Sequence, residues 1–402
     1  MRNVLLVGLL LTVGVTPSVA ADKPAKNPVA DGNTQFALEL YTKLSGQKGN
    51  LFLSPFSIST ALGMTSAGAK GKTLDEMNQT LHLPADQAET HAGFASLIKT
   101  LNAEGVEPAK RGYELSVANA LWGQKGANWL PTFLETTGKN YGAGLREVDY
   151  MQTEAARKTI NQWVEQQTKD KIKDLLQEGV LLPDTQLVLT NAIYFKGAWA
   201  VEFNKKETRD EPFFSDGVKG TKTPTMHVSS GYRYHEEAGF QALELPYKGK
   251  ELSMVIFLPK KKDGLADFEK TLSAAKLNEW LGKLRMEPTV NVSLPKFKMT
   301  SEFSLSKTLS GMGMKLLFSE GADLSGMNGK GGLFVSDAIH KAFVDVNEEG
   351  TEAAAATAIV VRPTSARIEP FFRADHPFFF AIRDHRTGSV LFVGRVVDPT
   401  AK

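Results

Sequence analysis

The stretch from Glu348 to Ser365 carries two conflicting conformational preferences, and any fold for this chain must accommodate both. It reads Glu-Glu-Gly-Thr-Glu-Ala-Ala-Ala-Ala-Thr over 348–357, then Ala-Ile-Val-Val-Arg-Pro-Thr-Ser over 358–365. A run of alanines favours helix, whereas the Ile-Val-Val that follows favours strand. From Thr351 to Val361 the odd positions hold Thr, Ala, Ala, Thr, Ile and Val, while the charges Glu352 and Arg362 fall on even positions. Successive side chains in a strand alternate between faces. One face of this segment, built of small and β-branched groups, therefore suits burial in a sheet. The segment reads as able to live both as an exposed loop and as an inserted strand, a local conflict of the kind that marks function.

The length of 402 residues suggests two or three domains on the usual prior. No Pro/Ser-rich or low-complexity stretch divides the chain after about residue 32, so one large mixed domain with an ample core is the better reading. The net charge of +2 gives no positive reason to expect nucleic acid or an anionic membrane as partner. At the N-terminus, Arg2, an apolar run from Val4 to Val15 and the small residues Ser18-Val19-Ala20-Ala21 make a secretory signal peptide. The run is too short to span a bilayer comfortably. The expected organisation is a signal peptide over 1–21, a Pro- and Gly-containing disordered leader over 22–32 and one domain over 33–402. The expected location is secreted or extracellular, with the periplasm as its bacterial counterpart. There is no cysteine, which excludes lipid attachment at the cleavage site and any disulfide.

Asn33 or Thr34 is a candidate cap for a helix whose apolar residues Phe36, Leu40, Tyr41 and Leu44 recur at helical spacing. Ser57 to Met64 continues as apolar helix, Ser116 to Leu121 as strand, and Thr153 to Leu176 as a long charged helix with Ile160, Trp163 and Val164 on one face. Leu187 to Phe195 is apolar on both faces and β-rich, as a fully buried central strand should be. Strand patterns dominate thereafter, at Leu252–Leu258, Val290–Leu294, Ala342–Val346, Phe378–Ile382 and Val390–Val396. Helices come mostly first and strands mostly later, which favours α+β over alternating α/β.

Catalytic and cofactor motifs are missing, so no enzyme, cofactor or metal is expected. Ser66-Ala67-Gly68-Ala69-Lys70-Gly71-Lys72-Thr73 lacks the first glycine of a phosphate-binding loop and follows a helical run rather than a strand. The glycines from Gly321 to Gly332 lack dinucleotide-fingerprint spacing and read as a mobile loop. No Gly-x-Ser-x-Gly occurs, and His235-Glu236-Glu237 does not continue to a second histidine. Seven histidines without cysteine leave little for structural zinc. A catalytic His340 would need a nucleophile and an orienting acid, for which no motif is present.

The segment at 348–365 resembles the hinge and reactive-centre loop of the serpin family. Asn50-Leu51-Phe52-Leu53-Ser54-Pro55-Phe56-Ser57-Ile58, Leu189-Thr190-Asn191-Ala192-Ile193-Tyr194-Phe195-Lys196-Gly197-Ala198-Trp199, Glu244-Leu245-Pro246-Tyr247, Leu294-Pro295-Lys296-Phe297, Asp375-His376-Pro377-Phe378 and Gly394-Arg395-Val396-Val397-Asp398-Pro399 resemble the family's motifs in its order. The resemblance implies a serpin fold of three β-sheets and about nine helices with an exposed reactive-centre loop. It implies a hinge formed by Glu348, Glu349, Gly350, Thr351, Glu352, Ala353, Ala354, Ala355, Ala356 and Thr357. It implies a buried polar cluster, the shutter, of Ser54, Ser57, Asn191 and His340, and a breach at Trp199.

It implies also that the loop is offered to a target protease as a substrate and that the chain works as a monomeric suicide inhibitor. The protease forms a covalent acyl-enzyme, and the loop's arm inserts into the central sheet. From Thr351 to Thr364 there are 364 − 351 = 13 steps, on the order of 45 Å at about 3.3 Å per step. Counting from Glu348 as the family does places the reactive bond at Thr364–Ser365. Arg362 is a rival, but Pro363 after it normally blocks such cleavage, and Arg367 would need a longer arm. A small, β-branched Thr364 points to an elastase-like or subtilisin-like protease. The alternative is a non-inhibitory member, a carrier, chaperone or storage protein. Small residues at Thr351, Ala353, Ala355 and Thr357 argue against it.

Overall fold

The computed structural model describes residues 27–102, 111–142, 144–351 and 369–401. The signal peptide, residues 22–26 of the leader and the loop over 352–368, with the reactive bond Thr364–Ser365, lie outside the described residues. In chain order the helices are α1 Pro28–Leu44, α2 Pro55–Ser66, α3 Gly71–Leu81, α4 Gln87–Leu101, α5 Pro131–Tyr141, α6 Thr153–Gln167, α7 Leu265–Glu269, α8 Ala274–Lys283, α9 Ser306–Met312 and α10 Ser325–Asn328. The strands are β1 Leu51–Leu53, β2 Tyr113–Gln124, β3 Leu145–Val148, β4 Leu187–Ala198, β5 Arg209–Phe213, β6 Thr221–Glu236, β7 Phe240–Pro246, β8 Leu252–Pro259, β9 Arg285–Pro295, β10 Phe297–Ser304, β11 Asp337–Asn347, β12 Gly350–Thr351, β13 Phe371–Arg373, β14 Phe378–Asp384 and β15 Val390–Val396. Among the described residues no helix is long and apolar enough to cross a membrane.

Helix α1 starts earlier than the Asn33/Thr34 expectation. The Asn27 side chain accepts the Val29 N–H at 3.0 Å, and Pro28 occupies the first helical position, where its missing N–H costs nothing. Residues 28–32, assigned above to the leader, are thus its first turn. Asn33 lies inside the helix instead, buried, with its amide donating to the Val390 carbonyl at 2.7 Å. Helix α6 is shorter than the expected Thr153–Leu176. Lys169 and Asp170 take positive φ (52° and 59°), and the chain turns back. The Asn161 side chain then accepts the Leu176 N–H at 2.8 Å, so Leu175 and Leu176 join Ile160 and Val164 in one apolar cluster.

One sheet has six strands in the order β10-β11-β12-β4-β2-β3. Its centre, β4, is buried along almost its whole length, with the wholly buried helix α2 on one face and α6 on the other. The other strands form a network in the order β1-β15-β14-β8-β7-β6-β9-β13, with β5 on β6. Its sixteen-residue strand β6 serves two sheets. Thr225–Tyr234 pair with β9 and Arg233–Glu236 with β7, and a register shift between Ser230 and Tyr232 marks the junction. The three expected sheets are therefore present, two of them joined through a shared strand.

Candidate functional site

The six-stranded sheet has a fork. Strands β4 and β11 pair directly, in parallel, from Val188↔Asp337 to Tyr194↔Phe343. Beyond that point they diverge, and β12 fills the gap. Gly350 and Thr351 pair antiparallel with Ala198 and Gly197 on one side and with Asn347 and Val346 on the other. The first hinge residues are thus already a strand of the sheet. Only glycine fits at position 350, where a Cβ would lie 2.1 Å from the Gly197 carbonyl oxygen. Thr351 is completely buried, and its hydroxyl meets Tyr247 Oη at 2.9 Å.

Side chains clamp the fork. Trp199 stacks on Tyr247 (centroids 4.7 Å apart, planes at 8°) and donates its indole N–H to the Asn347 carbonyl at 3.0 Å. The Trp199 and Phe203 backbone N–H groups donate to the Glu349 and Glu348 carbonyls at 3.0 and 2.9 Å. The Glu348 carboxylate accepts from Thr208 Oγ1 and Lys296 Nζ, each at 2.8 Å. Burial alone would raise the Glu348 carboxyl, but these two donors hold it below its ordinary value. Glu349 pairs with Lys205. The structure therefore brings Trp199 together with Glu348, Glu349, Gly350 and Thr351. Glu352, Ala353, Ala354, Ala355, Ala356 and Thr357 fall outside the described residues.

Below the fork, one directly paired position is polar, His340↔Asn191. His340 Nε2 accepts the Ser54 backbone N–H at 3.1 Å. The neutral ring then carries its proton on Nδ1 and donates it to Asn191 Oδ1. Asn191 Nδ2 donates in turn to Ser57 Oγ at 2.7 Å and to Asn119 Oδ1 at 2.5 Å. Ser54 caps α2 through the Ser57 N–H and donates its hydroxyl to the Leu391 carbonyl at 2.7 Å. Complete burial pushes His340 down to about 3, against an opposing pull from Asn191, so the ring is neutral. The four expected residues meet in one network. A fifth member, Asn119 on β2, escaped the sequence reading. Its signal was a lone amide in the otherwise apolar run Val117-Ala118-Asn119-Ala120-Leu121.

The Lys70–Thr73 segment offers no phosphate cradle, because Asp323 occupies it. The Lys70 N–H donates to the Asp323 carbonyl, and Thr73 Oγ1 accepts the Asp323 N–H, both at 2.9 Å. The glycine-rich stretch 321–332 is docked by the same contacts and by the fully buried Met327, which replaces the mobile loop expected there. Among the described residues no group of three His, Asp or Glu side chains is placed to hold a metal ion.

The family model described as Serpin (serine protease inhibitor) matches residues 31–399. Human leukocyte elastase inhibitor is 45% identical over 383 residues, which span 92% of this chain and 99% of that protein. Its Xenopus laevis counterpart is 45% identical over 376 residues, 91% of this chain and 98% of that protein. Among solved structures, human thyroxine-binding globulin superposes with a TM-score of 0.84 at 33% identity, covering 93% of this chain and 99% of the other.

Proposed function

The chain belongs to the serpin family, and from that premise we propose that it is a suicide-substrate inhibitor of an elastase-like or subtilisin-like serine protease. The protease serine attacks the Thr364 carbonyl carbon, and the bond to Ser365 breaks. An ester to the enzyme is left on Thr364, and the amine of Ser365 departs with the C-terminal fragment. The freed arm then continues β12 down the sheet, dragging the acyl-enzyme with it. Displacement of about 1 Å is enough to ruin catalytic geometry, so the ester is not hydrolysed.

The observation that carries this reading is the seating of Gly350–Thr351 between β4 and β11, which fixes the register any further insertion must follow. Six positions on from Thr351, Thr357 meets Asn191, six back from Gly197, and His340, six back from Val346. Eight positions on, Ile359 meets Leu189 and Ala338. The odd residues enter the face that Phe195, Ile193, Leu189, Val344 and Ala342 share with the main core. The even residues enter the face under α6, where Ala354 falls between Tyr194 and Phe343, whose ring centroids are 6.2 Å apart. Both faces are covered, so both need small side chains. This accounts for the alanine run better than helix propensity does. Insertion replaces the seven direct pairs between β4 and β11 and opens the His340–Asn191 bond, which we assign as the shutter, with Trp199 as the breach.

The elastase-like preference rests on the small Thr364 behind Pro363 and on the name of the human relative. We further infer from the basic, apolar and small-residue order of its first residues that the chain is exported to an extracellular or periplasmic space. Mixing equimolar purified protein with neutrophil elastase and with trypsin tests the proposal. The expected result is an elastase complex that survives boiling in detergent and a released fragment beginning at Ser365. Complete loop cleavage with elastase left fully active would refute inhibition and favour a carrier role.

A further inference from the structure

A second polar cluster lies where β5, β6, β9 and β13 run side by side in the larger strand network. The register puts His227 of β6 and Arg373 of β13 directly opposite Ser293 of β9, one on each side. Residues paired in this way share a face of the sheet. Glu211 of β5 joins them, with its Oε1 3.3 Å from His227 Nε2. Ser293, His227 and Glu211 therefore follow one another across three neighbouring strands in the order nucleophile, base, acid. Arg373 also reaches Glu211, at 3.4 Å, so its side chain crosses the strands that carry Ser293 and His227.

The proton positions follow from the partners. His227 Nε2 is shut off from solvent and makes no aligned hydrogen bond, and the acceptor-only Glu211 carboxylate beside it favours a proton there. Nδ1 is then the bare nitrogen, and it accepts the Ser293 hydroxyl at 3.1 Å. This is the tautomer in which an imidazole takes a serine proton and the resulting cation faces a carboxylate. Burial, and after it the charge of Arg209, hold His227 below its ordinary 6.5, against Glu211 and Glu207 and with the help of Arg373. The ring is neutral at pH 7 and free to act as a base. Ser253, His385 and Glu244 also meet, but differently. There the hydroxyl donates to the Glu244 carboxylate at 2.8 Å, and Ser253 is fully buried, so its proton is committed and no reagent reaches it.

The surroundings of Ser293 suit one class of reagent. Phe371, two residues before Arg373 on β13, lies on the same face and is 70% exposed, which offers an aromatic surface to an aryl group. The Arg373 side chain is 59% exposed, and so open an ion pair is weak enough for the guanidinium to turn to an acyl or phosphoryl oxygen. We propose that Ser293 is a nucleophile activated by His227 and Glu211, acylated or phosphylated once by activated aryl esters and fluorophosphonates. Ser293 Oγ attacks the acyl carbon, and the bond to the aryl oxygen breaks. The proton passes from Oγ to His227 Nδ1 and from there to the departing phenolate. With a fluorophosphonate the attack falls on phosphorus and fluoride leaves. The face is open rather than a pocket, so the reaction is a stoichiometric modification and not turnover. It does not depend on loop insertion.

The test treats the full chain with p-nitrophenyl acetate and, separately, with a biotinylated fluorophosphonate, and locates the label by peptide mass spectrometry. Both reagents should mark Ser293 ahead of every other serine, with Ser253 unmarked. Fluorophosphonate label absent from Ser293, or spread evenly over exposed serines, overturns the proposal. His227→Asn should slow labelling by about a hundredfold, and Glu211→Gln should slow it less, each with the unfolding temperature checked against the parent. Equal rates in parent and folded His227→Asn would make Ser293 an ordinary exposed hydroxyl and refute its activation. The pH profile of the parent needs no variant. Protonated His227 is no base, so the labelling rate should rise with pH through a midpoint below 6.5 and then level off. A rate that climbs steadily with hydroxide through neutral pH, without that midpoint, would refute the role of His227.

Discussion

His340 is buried without a counter-charge at the position where β4 and β11 must part, and its neutrality has a thermodynamic consequence. The folded value, about 3, lies below the ordinary 6.5 of an unfolded histidine. Between those values the unfolded chain binds the proton and the folded chain does not. Stability from this residue is therefore fully present above about 6.5 and is lost as pH falls, at about 1.4 kcal/mol per pH unit. Near pH 5 the loss should reach about 2 kcal/mol. His340→Gln should flatten that slope in denaturant unfolding measured from pH 7 to 4; an unaltered slope would assign the titration elsewhere. Protonation would also place an Nε2–H against the Ser54 N–H, two donors face to face. Ser54, Ser57, Asn191 and His340 were legible in the sequence because they sit within or beside recognisable motifs. Asn119 was not, since nothing in one strand's sequence says which helix its amide faces.

At the scale of the element, β12 is two residues long, and its pairing sets the register that the proposed insertion would follow. Thr351 is already buried between Gly197 and Val346. Thr351→Arg should cost about 3–5 kcal/mol for a charge buried without a partner and convert the protein from inhibitor to substrate. Boil-stable complexes at the parental stoichiometry would contradict this. The register makes a second forecast that composition alone could not. Ala354→Trp places an indole between Tyr194 and Phe343, beneath α6, and should raise the fraction of molecules cleaved without trapping, whereas Glu352→Gln, between Lys196 and Asp345, should change little. Equal stoichiometries for the two variants would break the proposed register. The period-two pattern of 351–361 let the sequence suggest a core-facing odd side, of which Thr351 is described and buried. The even side was not legible, because its need for small residues comes from α6, which covers the sheet from far away in the chain. The end of α6 itself was missed for a related reason. Lys171, Lys173, Leu175 and Leu176 continue a helical composition, while Asn161 reaches across to fix Leu176 in a loop.

The whole molecule holds a sheet of six strands whose central pair, β4 and β11, touch directly over seven residues and then separate around a fragment of a strand. An added ladder hydrogen bond contributes about 0.5–1.5 kcal/mol net, while ordering a loop residue costs about 1–2 kcal/mol. New bonds alone would therefore not drive the proposed insertion, and the proposal requires the balance to come from a starting state trapped kinetically above its free-energy minimum. The sequence made the fold legible through motifs spread along the chain, while the double preference of 348–365 bears mostly on residues outside the described ones. The sequence did not reveal the fork, because a partly opened sheet is a property of pairing between distant strands. The central claim, that a cut loop becomes a strand, is tested most directly by limited proteolysis between Val361 and Ser365 followed by thermal unfolding. Cleaved protein should unfold at a clearly higher temperature than intact protein, with the two fragments remaining associated. An unchanged or lower unfolding temperature would contradict insertion.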